Sequence, residues 1–181
     1  AGAAAKAINK TSLEPKGKKP LNFWKTAFWG VFPDVFSFAI PIVGLLWSLS
    51  FSGVNLSDMP GPSHMEPPPQ NMLWIFNLAQ LLYKLSHSLI IFLAVFGAVV
   101  LVYYLKSRRP PWEMSAWLLH ILMDIPTHSY KFYPTPALWP ISGWKFDGFS
   151  WGTPWFMILN YSLLVIVYVL LRKKRTPKTN F

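Results

Sequence analysis

The sequence predicts an all-α membrane protein with four transmembrane helices, and three observations favour that fold class. Hydrophobic residues make up 52% of the 181-residue chain and charged residues only 13%, whereas a typical soluble domain carries roughly 25% charged residues. Four long apolar stretches are separated by loops rich in Pro, Gly or basic residues. Most Lys and Arg residues lie in short clusters beside these stretches, as topology determinants do in membrane proteins.

The four expected spans differ in length and regularity. They cover about residues 27–51, 81–105, 112–126 and 154–171. The first is long enough to cross ~30 Å of hydrocarbon at 1.5 Å per residue, and Pro33 and Pro41 within it predict a kink or an unwound turn beside Asp34. The apolar residues before the second span, 72–81, are expected to form an interfacial helix or an extension beyond the membrane. The third span is short and is expected to end at Pro126.

The positive charges predict that both ends of the chain are cytoplasmic. Six Lys residues lie in the segment up to Lys25, three basic residues lie between the second and third spans, and five follow the fourth. The two outer loops, 52–71 and 127–153, together carry only Lys131 and Lys145. An excess of Lys and Arg marks the cytoplasmic side of a membrane. The predicted organisation is a basic, flexible cytoplasmic tail at 1–20, a four-helix transmembrane domain at 21–171 and a basic cytoplasmic tail at 172–181.

Composition excludes several classes of function. The net charge is +10, but the basic residues do not form the aromatic-interleaved face that follows a nucleic-acid backbone. We therefore expect the lipid bilayer, and not nucleic acid, as a partner. The absence of cysteine excludes disulfides, thiolate metal ligands and a cysteine nucleophile. The tryptophans of the third span and second outer loop, Trp117 among them, are expected to form an interfacial belt and to pack loops.

Four ionisable residues lie inside the predicted spans, namely Asp34, His87, His120 and Asp124. Such a side chain at bilayer depth is costly unless it faces a partner, water or a metal. His120 and Asp124 are four residues apart and share one helix face, and their imidazole and carboxylate suit a divalent metal such as zinc. Each residue could instead be structural, because a carboxylate can cap a helix start and an imidazole can be hydrogen-bonded in a core.

Helix geometry predicts which of these residues could meet. At 1.5 Å per residue, His120 and Asp124 lie ~12 and ~18 Å from the cytoplasmic edge, and Asp34 lies ~13 Å from it. His87 comes to ~25 Å, nearer to His128, so it joins the others only if helices tilt or the second segment shifts. We therefore expect a site in the outer half of the membrane, roofed by the second outer loop.

Three short motifs follow one another along the chain. They are Gly30-Val-Phe-Pro33-Asp34, then Leu82-Tyr-Lys-Leu-Ser-His87-Ser88-Leu89, then His120-Ile-Leu-Met-Asp124 with the later Thr127-His128 and Pro134-Thr-Pro136. In this order, over roughly residues 28–150, the motifs resemble those of the YdjM-like family. Its members are small, multi-span proteins of the bacterial inner membrane, classed as membrane-bound metal-dependent hydrolases.

The resemblance implies roles for individual residues. Asp34 matches the aspartate of the family's Pro-Asp motif, His87 the histidine of its His-Ser motif, and His120 and Asp124 its His-x-x-x-Asp motif. It implies that all four hold a divalent metal, most readily zinc, with Asp34 or Asp124 serving as catalytic base where it is not a ligand. It also implies a multi-pass location in a bacterial inner membrane.

Three functions stay open from the sequence. The first is a metal-dependent hydrolase that acts on a lipid or lipid-linked ester or phosphoester from a site facing the outer leaflet. The second is a non-catalytic accessory or structural subunit of a larger membrane complex with a degenerate site, since the family often has a histidine near its N-terminus and none precedes His64 here. The third is pigment or haem ligation by His87 or His120.

Overall fold

The protein is known here from a computed structural model, which describes residues 20–53, 70–131 and 133–173. Most of the predicted N-terminal tail, residues 54–69 of the first outer loop and the end of the C-terminal tail lie outside the described residues. The structure therefore bears on the helical domain and on the second outer loop.

Within the described residues the chain forms five α-helices and no strand. The helices are α1 (Phe23–Phe51), α2 (Leu73–Ser86), α3 (Leu89–Leu105), α4 (Ser115–Thr127) and α5 (Pro154–Lys173). Short 3-10 turns, Gln70–Met72 and Trp112–Met114, precede α2 and α4. The predicted all-α fold class is confirmed.

The helices differ in their capacity to cross a membrane. Helix α1 has 29 residues and is long and apolar enough to do so, and α2 with α3 passes the same test only as a pair bent by 58°. Helix α4 has 13 residues, about 20 Å at 1.5 Å per residue, and α5 contributes a shorter apolar stretch, Pro154–Leu170. One or two spans are thus supported, and the four-span topology stays a prediction.

Helix α1 presents small residues inward and large apolar residues outward. Its buried residues are Thr26, Pro33, Ser37, Pro41 and Ser48, while many of its bulky side chains, such as Trp24, Ile40 and Trp47, are exposed. Trp29 and Phe32 are the partly buried exceptions that pack against the main apolar cluster. Small residues at an interface let helix backbones approach closely, and large exposed apolar surfaces are typical of contact with lipid or with a partner. This face is where α2 and α4 pack.

The unwound turn predicted beside Asp34 does not form. Helix α1 is helical throughout, with Pro33 and Pro41 inside it. The Ser37 hydroxyl donates to the Pro33 carbonyl, one turn earlier in the helix, at 2.7 Å, a bond that serine commonly makes within helices. Asn22 begins the helix, because its side-chain oxygen accepts from the Lys25 backbone N–H at 3.0 Å.

The second predicted span, expected as a continuous helix over 81–105, is broken. Helix α2 ends at Ser86 and α3 begins at Leu89. The Ser88 hydroxyl oxygen accepts from the backbone N–H groups of Ile90 and Ile91 at 3.1 and 3.2 Å. A serine in this position competes with the continuing helix for its own backbone donors, and so it starts a new helix.

Neighbouring segments bind the backbone groups freed by this break. Leu89 N–H donates to the Ala137 carbonyl at 2.9 Å, and Trp117 Nε1–H donates to the Ser86 carbonyl at 2.6 Å. Trp117 is buried with Phe92 and Ile121 in the main apolar cluster, so its predicted interfacial position was wrong. The cluster fixes α4 against the break.

The end of α4 is held by the second outer loop. The helix runs to Thr127 with Pro126 inside it, beyond the predicted end at Pro126. The backbone N–H groups of Gly148, Phe149 and Trp151 donate to the carbonyls of His128, Pro126 and Thr127 at 2.9, 3.1 and 2.9 Å. These bonds satisfy carbonyls that a helix end leaves without intrahelical partners.

Gly148→Ala should destabilise the protein, because a Cβ at this position would lie 2.1 Å from the Pro126 carbonyl oxygen. Backbone on both sides must move, so we expect a loss of about 1–3 kcal/mol, measured by thermal unfolding in detergent. Gly143→Ala in the same loop is the matched control, since nothing lies within 4 Å of its Cβ position. Equal stabilities of the two variants would contradict this role of Gly148.

Candidate metal centre

The four ionisable residues singled out in the sequence meet at one place. Asp34 comes from α1, His87 from the break between α2 and α3, and His120 and Asp124 from α4. His87 Nε2 lies 3.5 Å from Asp34 Oδ1 and 3.2 Å from Asp124 Oδ2. His120 Nε2 lies 3.6 Å from Asp34 Oδ1 and 3.1 Å from Asp124 Oδ2, and the two Nε2 atoms are 3.3 Å apart.

These separations are those of ligand atoms around a small tetrahedral ion. With metal–ligand bonds of 2.0–2.1 Å, the ligands of a tetrahedral zinc lie about 3.3–3.4 Å from one another. The three distances among His87, His120 and Asp124, 3.1 to 3.3 Å, lie close to that value, and those from Asp34 Oδ1 to the two imidazoles, 3.5 and 3.6 Å, are longer. The ligand atoms of Asp34, His87 and His120 also lie within 4.8 Å of one another. The donor set of two imidazoles and two carboxylates is one that zinc accepts. The residues present therefore fit a divalent ion.

Charge balance agrees with the geometry. Two carboxylates with two neutral imidazoles carry a charge of −2, which a divalent cation matches. Without a cation, paired carboxylates in a largely covered place would need protons on the imidazoles to offset their repulsion. The arrangement thus supports a metal and also permits a proton-bearing His/Asp network.

The imidazole of His120 is oriented by α1. Its Nδ1 lies 2.8 Å from the Gly30 carbonyl oxygen, one turn before Asp34. A carbonyl only accepts, so Nδ1 bears the proton and the lone pair of the neutral ring lies on Nε2. Nε2 is the atom that faces the carboxylates, which is the tautomer that binds a metal.

A chain of hydroxyl groups sets the tautomer of His87. The Ser37 hydroxyl donates to the Pro33 carbonyl, so at the 2.6 Å contact between the two hydroxyls it accepts from Ser86. The Ser86 oxygen in turn accepts from His87 Nδ1 at 2.8 Å. The proton therefore lies on Nδ1 of His87, and its Nε2 lone pair points into the centre.

Tyr83 holds the His87 ring from the side. The two rings are stacked with centroids 3.9 Å apart and planes inclined by 24°. The Tyr83 hydroxyl donates to the Tyr133 carbonyl at 3.1 Å, which ties the stack to the second outer loop. His87 is consequently fully buried, with its ring fixed on two sides.

The two carboxylates have different surroundings. Asp124 is 15% exposed, and its Oδ1 lies 3.9 Å from His128 Nδ1, which also contacts the Asp124 carbonyl at 3.0 Å. Asp34 is 53% exposed. Both line a cavity of about 450 Å³, bordered by the aromatic side chains of Phe38, Trp151 and Phe156 among others. The centre is therefore closed at His87 and open at Asp34, and His120 and Asp124 also border a smaller cavity of about 160 Å³.

Burial affects one further group at this cavity. It raises the pKa of Tyr133 above that of an ordinary phenol, because the phenolate is poorly solvated there. Tyr133 is therefore a neutral side chain at physiological pH. It can line the cavity without adding charge.

Asp34, His120 and Asp124, the expected neighbours, all lie beside the His87 imidazole. His87 joins them because the second segment does not continue as one straight helix but bends at Ser86–Ser88. The roles of Ser37 and Trp117 were not predicted from the sequence. The Ser-His-Ser run was a usable signal, since serine favours helix starts.

Comparisons of the chain with protein-family models, with curated proteins and with solved structures gave no match.

Ser86→Ala should weaken zinc binding about 10- to 100-fold, the usual effect of losing a group that orients a metal-bound histidine. Ser37→Ala should weaken it less, because it acts through Ser86. Ser48→Ala is the control, since it is also a buried serine of α1 but lies outside the centre. Competition titration with a zinc chelator on detergent-purified protein measures the affinities, and equal affinities for Ser86→Ala and Ser48→Ala would contradict the relay.

Proposed function

We propose that this chain is a membrane-embedded, metal-dependent hydrolase whose centre consists of Asp34, His87, His120 and Asp124. The observation that carries the proposal is the set of five separations of 3.1 to 3.6 Å among ligand atoms from three parts of the chain. The resemblance of the three motifs to the YdjM-like family points the same way.

The residues divide into holders of the ion and a base. His87, His120 and Asp124 have mutual distances of 3.1 to 3.3 Å and are little exposed, so they hold the ion. Asp34 is farther from both imidazoles and faces the cavity. A bound divalent ion supplies Lewis acidity and makes a water molecule more acidic. Asp34 is placed to accept the proton from that water, as a general base.

The cavity favours a substrate with an apolar part. Phe38, Met123, Trp151 and Phe156 contribute apolar surface beside the carboxylates. A lipid or lipid-linked ester or phosphoester combines an apolar chain with a hydrolysable bond, and so it matches both parts of the cavity. Attack of water on the carbonyl carbon or phosphorus breaks the bond to the alcohol oxygen, and the products are an acid and an alcohol.

The proposed location is a bacterial inner membrane, with four spans and both ends cytoplasmic. The outward-facing bulky residues of α1 and the apolar α2–α3 pair support a bilayer. The distribution of Lys and Arg supports the orientation. In this arrangement the second outer loop and the centre below it belong to the outer leaflet.

An accessory role in a larger membrane complex is the second candidate. It is favoured by α5, whose side chains from Ile158 to Leu170 are exposed on every face of the helix. Lipid or a partner subunit would have to cover so much apolar surface. In that case the protein co-purifies with a stoichiometric partner and contains no metal.

Asp34→Asn and Asp124→Asn should separate the two roles. Asp124→Asn should lose bound zinc, whereas Asp34→Asn should keep it and lose hydrolysis by about 100-fold or more, as when a general base is removed. Metal analysis and hydrolysis of long-chain 4-nitrophenyl esters and phosphodiesters measure the two effects. Asp147→Asn, an exposed aspartate of the loop, is the control. Full zinc content and full activity in Asp124→Asn would refute the proposal.

The absence of cysteine allows a direct test of the topology. Two single-cysteine variants each place one labelling site at an exposed position. Lys131→Cys lies in the second outer loop, and Lys106→Cys lies between α3 and α4. A membrane-impermeant maleimide should label position 131 in intact spheroplasts and position 106 only after lysis. The unmodified chain is the unlabelled control, and labelling of position 106 in intact spheroplasts would contradict the orientation.

A further inference from the structure

A second cavity adjoins the metal centre and has a different chemical character. Its volume is about 180 Å³, and it lies between α2 and the second outer loop. Its polar lining comes from Gln80, Lys84, Lys145 and three tyrosines, and no carboxylate is among the lining residues. The volume equals that of about six water molecules at about 30 Å³ each, which is enough for a polyatomic anion.

The two lysines carry the charge of this cavity. Both are half-buried. In the parts of the chain that the structure describes, every carboxylate found within 4.0 Å of a cationic group pairs with a histidine, so neither ammonium group has a carboxylate at that distance. A partly covered cation is stabilised by an anion brought beside it. The cavity therefore offers two positive charges for an incoming ligand.

The position of the cavity relates it to the proposed reaction. Tyr83 and Tyr133 line both cavities, so they separate the lysines from the carboxylates by one layer of side chains. Lys84 also lies one helical turn before His87. A ligand with its anionic group in this cavity would reach Asp34 and Asp124 with a part of the molecule that extends past the two tyrosines.

We propose that this cavity binds the phosphate group of the substrate. Lysine binds phosphate as a point charge, and two lysines match the charge of a phosphate ester better than that of a single carboxylate. The inference rests on the proposed hydrolase and names its substrate class, an amphiphile that carries a phosphate group apart from the hydrolysed bond. The apolar cavity beside the carboxylates then takes the acyl or prenyl part of the same molecule.

The test measures phosphate binding separately from hydrolysis. The protein in neutral detergent is titrated with inorganic phosphate. It is also reconstituted in nanodiscs of phosphatidylglycerol or of phosphatidylcholine. The amount of lipid that it retains and the amount of soluble phosphate ester that it pulls down are then compared between the two lipids. Lys84→Gln and Lys145→Gln should each weaken phosphate binding about tenfold or more, as expected for loss of a charge-assisted hydrogen bond, and the double variant should abolish it. Lys131→Gln, an exposed lysine of the same loop, should bind as the unmodified chain does.

The outcomes distinguish a failure of the phosphate site from a failure of the proposed hydrolase. Lysine-dependent binding of inorganic phosphate identifies a general phosphate site, and lysine-dependent retention of phosphatidylglycerol alone identifies a lipid headgroup, so either result supports the inference. Unchanged binding in the double variant, or equal weakening in Lys131→Gln, overturns it. Asp124→Asn keeps the lysines and should still bind phosphate, so loss of metal and loss of the phosphate site are distinguishable.

Discussion

The break of the second apolar stretch at Ser86-His87-Ser88 is the constraint on which the rest of the structure depends. Within apolar surroundings every freed backbone group needs a partner, and the break is possible because Trp117 and Ala137 provide them. Those partners come from α4 and from the second outer loop. The same bonds that make the break tolerable therefore bring three distant segments together around His87.

Close approach of α1 completes the arrangement. Its buried residues are small, and Ser37 reaches Ser86 across the interface at 2.6 Å. A bulky residue at position 37 would separate the helices and remove the relay to His87. Helix α1 also provides the Gly30 carbonyl that orients His120. The residues of α1 that allow close helix packing therefore lie on the same side of the helix as the groups that orient His87 and His120.

The sequence was sufficient for the helical fold class and for the identity of the clustered residues. The apolar stretches and the His-x-x-x-Asp spacing depend on local pattern, which is readable without tertiary information. The depth of His87 was not readable in that way, because it depended on whether a serine cap would prevail over a continuous apolar helix. That outcome was decided by Trp117 and Ala137, which are distant in sequence. The extension of α4 through Pro126 likewise depended on donors from Gly148, Phe149 and Trp151.

The centre brings together segments that are far apart in the sequence and have no covalent crosslink between them. Asp34, His87 and the His120–Asp124 pair lie on separate segments, and there are no cysteines to form a crosslink. An ion held by His87, His120 and Asp124 would link the break between α2 and α3 to α4, with Asp34 of α1 beside it. Metal uptake would then contribute to folding as well as to reactivity, and assembly of this domain in the cell would depend on the supply of that ion.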